Sequence, residues 1–350
     1  MNTASRFKAA LALVFLGMFV GCPRKSIVDP PYPWSPSLKI LLWKSDGSGF
    51  ITIVDDMSSG PTGTTFNLYD SNGSLQKTFP IDLNFPTGGT IAFIHNGADL
   101  LIPTDMRIVD GPHEIRTNKF SLADGSVNSY SNLYLEDVDP SGRLALFSEA
   151  PDYTGGNWPY GGLEIADVSG PYGPSTLRRW QQQSMANPSV QWTTPTGFTL
   201  TLVDSTNTTS LVGFDTALDR TSSVPIIDTN ISNGFRSSFG FYYASANGYY
   251  YIFDTSNFFS LDPATGIQTN IDATQGMDNF SHTADGRYVA YAKQATKASF
   301  TRIRNMVSGA IGVLPASASR CAISPNGLHF AYSDTLSQGP VIHVVNVTLP

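Results

Sequence analysis

The chain has 350 residues and carries 21 Lys and Arg against 28 Asp and Glu, a formal net charge of −7 with a pI near 5.1. Charged residues make up only 14% of it, against about 25% in ordinary soluble proteins, and the acidic balance excludes a broadly basic nucleic-acid binder. A hydrophobic content of 41% excludes wholesale disorder, while 24 Asp beside only 4 Glu and 8 Lys, with 31 Gly and 23 Pro, argue against a helical protein and for a turn-rich, all-β one.

The first element is an export signal. Met1 to Lys8 carries Arg6 and Lys8 with no acid, and Ala9 to Val20 is an unbroken apolar stretch. That stretch is shorter than the roughly 20 residues that span a bilayer. Phe19-Val20-Gly21-Cys22 follows and resembles the lipobox of bacterial lipoproteins, in which a signal peptidase cuts before a Cys whose sulfur takes the lipid. Phe19, where Leu is usual, and Pro23 after the Cys depart from that pattern. The resemblance implies a signal peptide over residues 1–21, lipidation at Cys22, and a bacterial cell envelope location, periplasmic or at the cell surface. Several acyl chains would make a stable anchor where one would not. The alternative is an ordinary cleaved signal, or an uncleaved anchor, with an incidental Cys. Residues 22–36 then read as a stiff, Pro-rich tether.

Residues 37–350 read as one domain built on a repeat. Ser324-Pro325-Asn326-Gly327 precedes LHFAYSD, Thr283-Ala284-Asp285-Gly286 precedes RYVAYAK, and Asp139-Pro140-Ser141-Gly142 precedes RLALFSE. Each is a polar turn followed by an alternating strand. Weaker copies place the turn glycines at 47, 97, 142, 197, 248, 286 and 327, close to the 40–50 residue period of a four-stranded propeller blade. A second hairpin runs out of phase with the first, at Gly73, Gly125, Gly170, Asp215–Arg220, Gly266 and Gly309. Each unit therefore reads strand, turn, strand, loop, strand, turn, strand. The expected fold is an all-β propeller of seven four-stranded blades, with six or eight left open. Lys39–Lys44 is claimed as the first strand, so the last unit lacks an obvious fourth one. It is either three-stranded or closed by a short segment near Ile27. Residues 176–186 admit one short helix.

ISPNGLHFAYSD and HTADGRYVAYAK resemble the SPDG-strand repeat of TolB-type, WD-repeat-like β-propellers. The resemblance implies a propeller and leaves function open, because such rings host enzymes, receptors and scaffolds.

Catalytic motifs are missing from the chain. It has no G-x-S-x-G elbow, no phosphate-binding glycine loop, no H-E-x-x-H and no Cys pair at zinc spacing. No cofactor and no metal are expected. Asp137-x-Asp139-x-Ser141 looks like the start of a calcium loop, but its twelfth position is Ser148 where a bidentate Glu is needed. Asp55 and Asp56 alternate across a strand, and His282 and His329 read as structural imidazoles. Cys321 lies in an apolar strand as a small buried hydrophobe.

The unusual segment is the third unit. Tyr153, Trp158 and Tyr160 fall in a Gly-rich loop, Tyr172, Arg178, Arg179 and Trp180 follow, and then Trp192. Aromatics with Arg compose recognition hot spots and sugar-stacking platforms. The competing reading is a loop that packs its own aromatics on the propeller edge. These residues are the candidate binding site.

The expected function is a lipid-anchored, monomeric, non-enzymatic module of the cell envelope. It would bind an envelope protein or, as the lesser option, a glycan. The alternative is a carbohydrate-active enzyme or glycan-binding protein with its site in the propeller funnel. Paired carboxylates in the funnel would favour an enzyme, and Ser, Thr and small apolar residues would favour a binder.

Overall fold

Alternation of side chains along a strand sends successive residues to opposite faces of a sheet, so a sheet apolar on both faces must be covered twice. Tyr250, Tyr251 and Ile252 are all buried in the strand YYYIF, and so are Leu144's neighbours Ala145, Leu146 and Phe147 in LALFSE. Radial packing of such sheets meets the demand, and the computed structural model shows it. The described residues are 37–55, 64–81, 90–107, 113–149, 162–170, 173–180, 190–203, 209–226, 240–253, 257–273, 277–294, 299–314, 320–336 and 339–347. All belong to one unit, Pro36–Pro350.

The strands form seven antiparallel sheets in chain order. Blade 1 is β1 (Ser37–Trp43), β2 (Gly49–Asp55), β3 (Thr64–Asp70) and β4 (Leu75–Ile81). Blade 2 is β5 (Ala92–Ile94), β6 (Asp99–Arg107), β7 (His113–Ser121) and β8 (Val127–Ser131). Blade 3 is β9 (Leu133–Val138), β10 (Leu144–Glu149), β11 (Leu163–Asp167) and β12 (Ser175–Trp180). Blade 4 is β13 (Val190–Thr194), β14 (Gly197–Val203), β15 (Thr209–Asp215) and β16 (Arg220–Pro225). Blade 5 is β17 (Gly240–Ala244), β18 (Tyr249–Phe253), β19 (Asn257–Leu261) and β20 (Gln268–Ala273). Blade 6 is β21 (Met277–His282), β22 (Tyr288–Gln294), β23 (Ser299–Asn305) and β24 (Ile311–Leu314). Blade 7 has three strands among the described residues, β25 (Arg320–Ile323), β26 (His329–Leu336) and β27 (Gly339–Asn346). The chain is thus a seven-bladed β-propeller, as the turn period predicts. The segment near Ile27 and Cys22 lies outside the described residues.

First strands of neighbouring blades approach one another (β9 with β13, β21 with β25, β25 with β1), so they are innermost. Fourth strands such as β12 and β16 are exposed and outermost. Residues 176–180, read from the sequence as part of a short helix over 176–186, belong to strand β12. They complete blade 3 by pairing with β11, and pairing overrides a weak local preference.

Seven apolar clusters fill the seven gaps between blades. Leu100 and Ile102 face blade 1 with Phe66 and Phe79, while Leu101 between them faces blade 3 with Leu135 and Phe147. Full burial of each such side chain contributes about 1.5–3 kcal/mol. The ring closes where Trp43 and Phe50 of blade 1 meet Ala322 and Ala331 of blade 7. There the Trp43 indole donates to the Ala322 carbonyl at 3.0 Å. Cys321 is buried in the cluster between blades 6 and 7, as its apolar strand implies.

The repeat turns join first and second strands. In blade 3, Asp139 Oδ1 accepts the Arg143 and Leu144 amides at 2.8 and 2.6 Å, and Oδ2 accepts the Ser141 hydroxyl at 2.5 Å. Thr283 and Ser324 do the same work, their hydroxyls accepting the Tyr288 and His329 amides. The glycine is required twice over at Gly286, which has φ +68° and where a Cβ would lie 2.6 Å from Ala244 Cα of the preceding blade. The second hairpins use the same device. Asp70, Asp215 and Asp262 accept amides two residues ahead. Asp reaches these amides and the longer Glu does not sit in such turns, which accounts for the lopsided acid composition.

Candidate functional site

Because strands alternate in direction, the first–second and third–fourth turns of every blade share one face of the ring. On that face a cleft of about 330 Å³ opens between blades 4 and 5. Deeper in, the same gap is sealed by Leu211, Val224, Ile252 and Phe259. Toward the turn face the lining changes to Thr193, Thr199, Gly213, Ser222, Tyr243 and Tyr250.

Local geometry explains the change. The ladder between β13 and β14 slips between Trp192 and Thr194, which leaves Thr193 as a bulged residue; bulges re-aim side chains. Thr193 Oγ1 lies 3.4 Å from Thr199 Oγ1, which lies 2.9 Å from the Tyr250 hydroxyl. Burial raises the Tyr250 phenol above its usual range, so it stays a neutral donor. Thr199 pairs with Gly213 on β15, and the glycine's missing side chain opens the floor. A Cβ there would lie 2.5 Å from Ser222 Oγ. The Tyr243 and Tyr250 rings stand 5.2 Å apart, tilted by 55°, and the Tyr243 amide is held by Gln191 Oε1 at 3.1 Å. Asp215, the single charged residue of the lining among the described residues, has Oδ1 accepting the Ala217 and Asp219 amides at 2.9 Å each.

A second polar feature lies on β9. Its register with β10 slips opposite Leu146 and Phe147, so Glu136 leaves the ladder beside Asp137. Glu136 accepts the Ser148 hydroxyl at 2.6 Å. Asp137 accepts the Val138 amide at 2.8 Å and, across the gap to blade 4, the Trp192 amide at 2.7 Å. Burial pushes both carboxyls up to about 7, with the Asp137 charge adding to the rise at Glu136 and Asp139 to that at Asp137. The oxygens that looked like the start of a calcium loop are therefore spent on turn and inter-blade amides. Among the described residues no group of three or more His, Cys, Asp or Glu is placed to hold a metal ion.

The residues singled out from the sequence separate. Cys22, Tyr153, Trp158, Tyr160 and Tyr172 lie outside the described residues. Trp192 is 6% exposed and packs on Phe198 at 5.6 Å. Trp180 packs on Phe214 at 5.1 Å in the same cluster between blades 3 and 4. Both indoles are blade packing, the outcome of strand positions rather than loop ones. Arg179 pairs with the buried Glu164 at 3.1 Å, and Arg178 is exposed on the outer strand β12. His282 is half-buried, stacks on Tyr242 at 4.4 Å and bonds the Thr283 carbonyl oxygen, and desolvation lowers its pKa, the behaviour of a structural imidazole. The cleft escaped the sequence reading because its residues come from six strands and form no motif.

The fold and cleft define a β-propeller with a hydroxyl-lined interblade site. No protein-family profile matches the sequence, and no curated protein matches it. Solved structures do. Kuenenia stuttgartiensis hydrazine synthase aligns at 11% identity over 94% of this chain and 100% of its own, with a TM-score of 0.58. The Myceliophteria thermophila Cps50 (Swd1) β-propeller domain aligns at 12% identity over 90% and 98%, with a TM-score of 0.56. Oligogalacturonate lyase from Vibrio parahaemolyticus aligns at 9% identity over 90% and 92%, also at 0.56. At such identities the likeness shows the fold alone, and the names span catalysts and a propeller domain.

Proposed function

We propose that this chain is a non-enzymatic binding module, held at a bacterial envelope membrane by an acylated Cys22 and docking a protein on the face that carries the paired turns. One repeated observation supports this. Leu75, Val127, Ile267 and Ile311 lie within two residues of the second-hairpin glycine in blades 1, 2, 5 and 6. They are 55%, 44%, 62% and 44% exposed. Scattered exposed aliphatics need no explanation, but blade packing does not call for one at the same rim position four times. The exposed carboxylates of Asp46, Asp124 and Asp285 share that face. The partner that fits is a protein with a basic surface bearing aliphatic side chains. The test is cross-linking in intact cells with the wild type and a Leu75→Ser/Val127→Ser/Ile267→Ser variant of unchanged thermal midpoint. A basic partner recovered only with the wild type supports docking. The same recovery from both, or none from either, rejects it. Separately, Cys22→Ser is expected to release the protein from membranes and abolish fatty-acid labelling, and an unlabelled wild type would refute the anchor.

A second reading, a carbohydrate-active enzyme, draws on Glu136 and Asp137. Adjacent carboxyls that titrate near neutrality are the kind of groups that serve acid–base chemistry. Turnover of an envelope polysaccharide by the pure protein, lost in Glu136→Gln, would favour it over the binding module.

A further inference from the structure

We infer that the cleft between blades 4 and 5 is a binding site for a neutral pyranose saccharide, a site separate from the aliphatic rim. The lining pairs sugar-sized space with sugar-like chemistry. Its volume of about 330 Å³ sits at the small end of ligand pockets, which run from about 300 to 1,000 Å³.

Four features specify the ligand class. Hydroxyls of Thr193, Thr199, Ser222 and Tyr250 can each donate or accept, so they match a polyol whose own hydroxyls do both. Tyr243 is half-buried and offers ring surface at the wall, where the C–H face of a pyranose packs. Among the described residues no Lys, Arg or His lines the cleft, and the one carboxylate is Asp215. A uronate, phosphate or sulfate would enter without a cation and against that charge, so an acidic sugar is disfavoured. The floor is also open by construction. The Gly213 position faces Thr199, and any side chain at 213 would fill the space beneath Ser222.

The neighbouring gap shows what blade packing looks like when nothing is left open. Between blades 5 and 6 the rings of Tyr242, Tyr251, Phe258 and Tyr291 are buried together. The walls are held by the Gln191 bond to the Tyr243 amide and by the mutual stack of two lining rings, Phe198 and Phe214. The site therefore needs little ordering when a ligand binds, which favours affinity at small contact area.

The test uses ligand-observed NMR on the full folded chain with three neutral probes, maltotetraose, cellotetraose and chitotetraose, and an acidic counter-probe, tetragalacturonate, all in the millimolar range. At least one neutral probe is expected to bind. Gly213→Val, which fills the floor, and Thr193→Val, which removes one hydroxyl at constant shape, are each expected to weaken it about tenfold or more. Leu75→Ser on the rim is expected to bind like the wild type. Thermal midpoints show that each variant is folded, and Thr193→Val carries the test if Gly213→Val is not. The inference is overturned if no neutral probe binds the wild type, if only tetragalacturonate binds, or if folded cleft variants bind as tightly as the wild type. Failure of the rim experiment leaves these outcomes untouched.

Discussion

Glu136→Gln tests the electrostatic reading of the inner strand. Burial raises the Glu136 carboxyl from its usual 4.5 to about 7, so between those values the native chain holds a proton that the unfolded chain has lost. Stability then falls as pH rises through that window, because the unfolded state binds fewer protons. The favourable term is fully present below about 4.5 and fully lost above about 7. At about 1.36 kcal/mol per pH unit, a rise from 4.5 to about 7 corresponds to roughly 3 kcal/mol. Glutamine keeps an oxygen for the Ser148 hydroxyl and carries no charge at any pH. The variant is therefore expected to match the wild type near pH 4.5 and to exceed it by about 2–3 kcal/mol at pH 8. Urea denaturation of both proteins at the two pH values measures this. An equal difference at both pH values, or a variant less stable at pH 8, would refute the assignment of a desolvated carboxylate.

Three further outcomes follow from the turns and the seam. Asp139→Ala leaves the Arg143 and Leu144 amides without their acceptor and is expected to cost about 2 kcal/mol; Asp139→Asn, which keeps one oxygen, should cost less in the same urea titration. Gly286→Ala combines a left-handed φ with a 2.6 Å approach to Ala244 and is expected to cost about 3 kcal/mol. Gly266→Ala, at φ +71° with nothing within 4 Å, should cost about 1 kcal/mol, so thermal midpoints that fall equally would contradict the packing argument. Cys321, buried between blades 6 and 7, is expected to resist a thiol reagent until denaturant is added, and rapid labelling of the native chain would show that seam to be open.

Architecture was legible because it is carried by local grammar repeated along the chain. An Asp, Thr or Ser that caps a turn, a glycine three residues on, and an alternating strand are visible at Asp139, Thr283 and Ser324 without any knowledge of the ring. The pattern also placed Cys321 inside. The helix read over 176–186 gives way to a strand over 176–180 because propensity speaks for a segment alone, whereas Ser175–Trp180 is fixed by pairing with β11. Trp192 depends on pairing in a related way. It precedes a repeat turn in VQWTT, and that position makes it a first-strand residue facing the gap to blade 3. The cleft was illegible for a different reason. Thr193, Thr199, Gly213 and Tyr250 meet through a bulge, two ladders and a blade boundary, and common residue types at scattered positions carry no signature.

The closing contact between Trp43 and Ala322 joins residues 279 positions apart, and this governs the order in which the ring can be made and unmade. A chain growing from its N-terminus completes the second strand of blade 1 long before the surface that will cover Phe50 exists. That aromatic flank stays wet until the last blade arrives, so the earliest blade is among the last to become secure. Contacts of such long sequence separation are slow to form. In reverse, the seam is where the circle has least to lose. The buried side chains that blade 7 brings to the Trp43 and Phe50 rings are the small ones of Ala322 and Ala331, with Ile342 and Val344 partly buried beside them and His329 stacked on Trp43 at 6.0 Å, whereas the gap between blades 1 and 2 has three phenylalanines and five aliphatics buried. Pulled on, the ring is expected to part at this joint before the gap between blades 1 and 2 does, as a split washer opens at its cut.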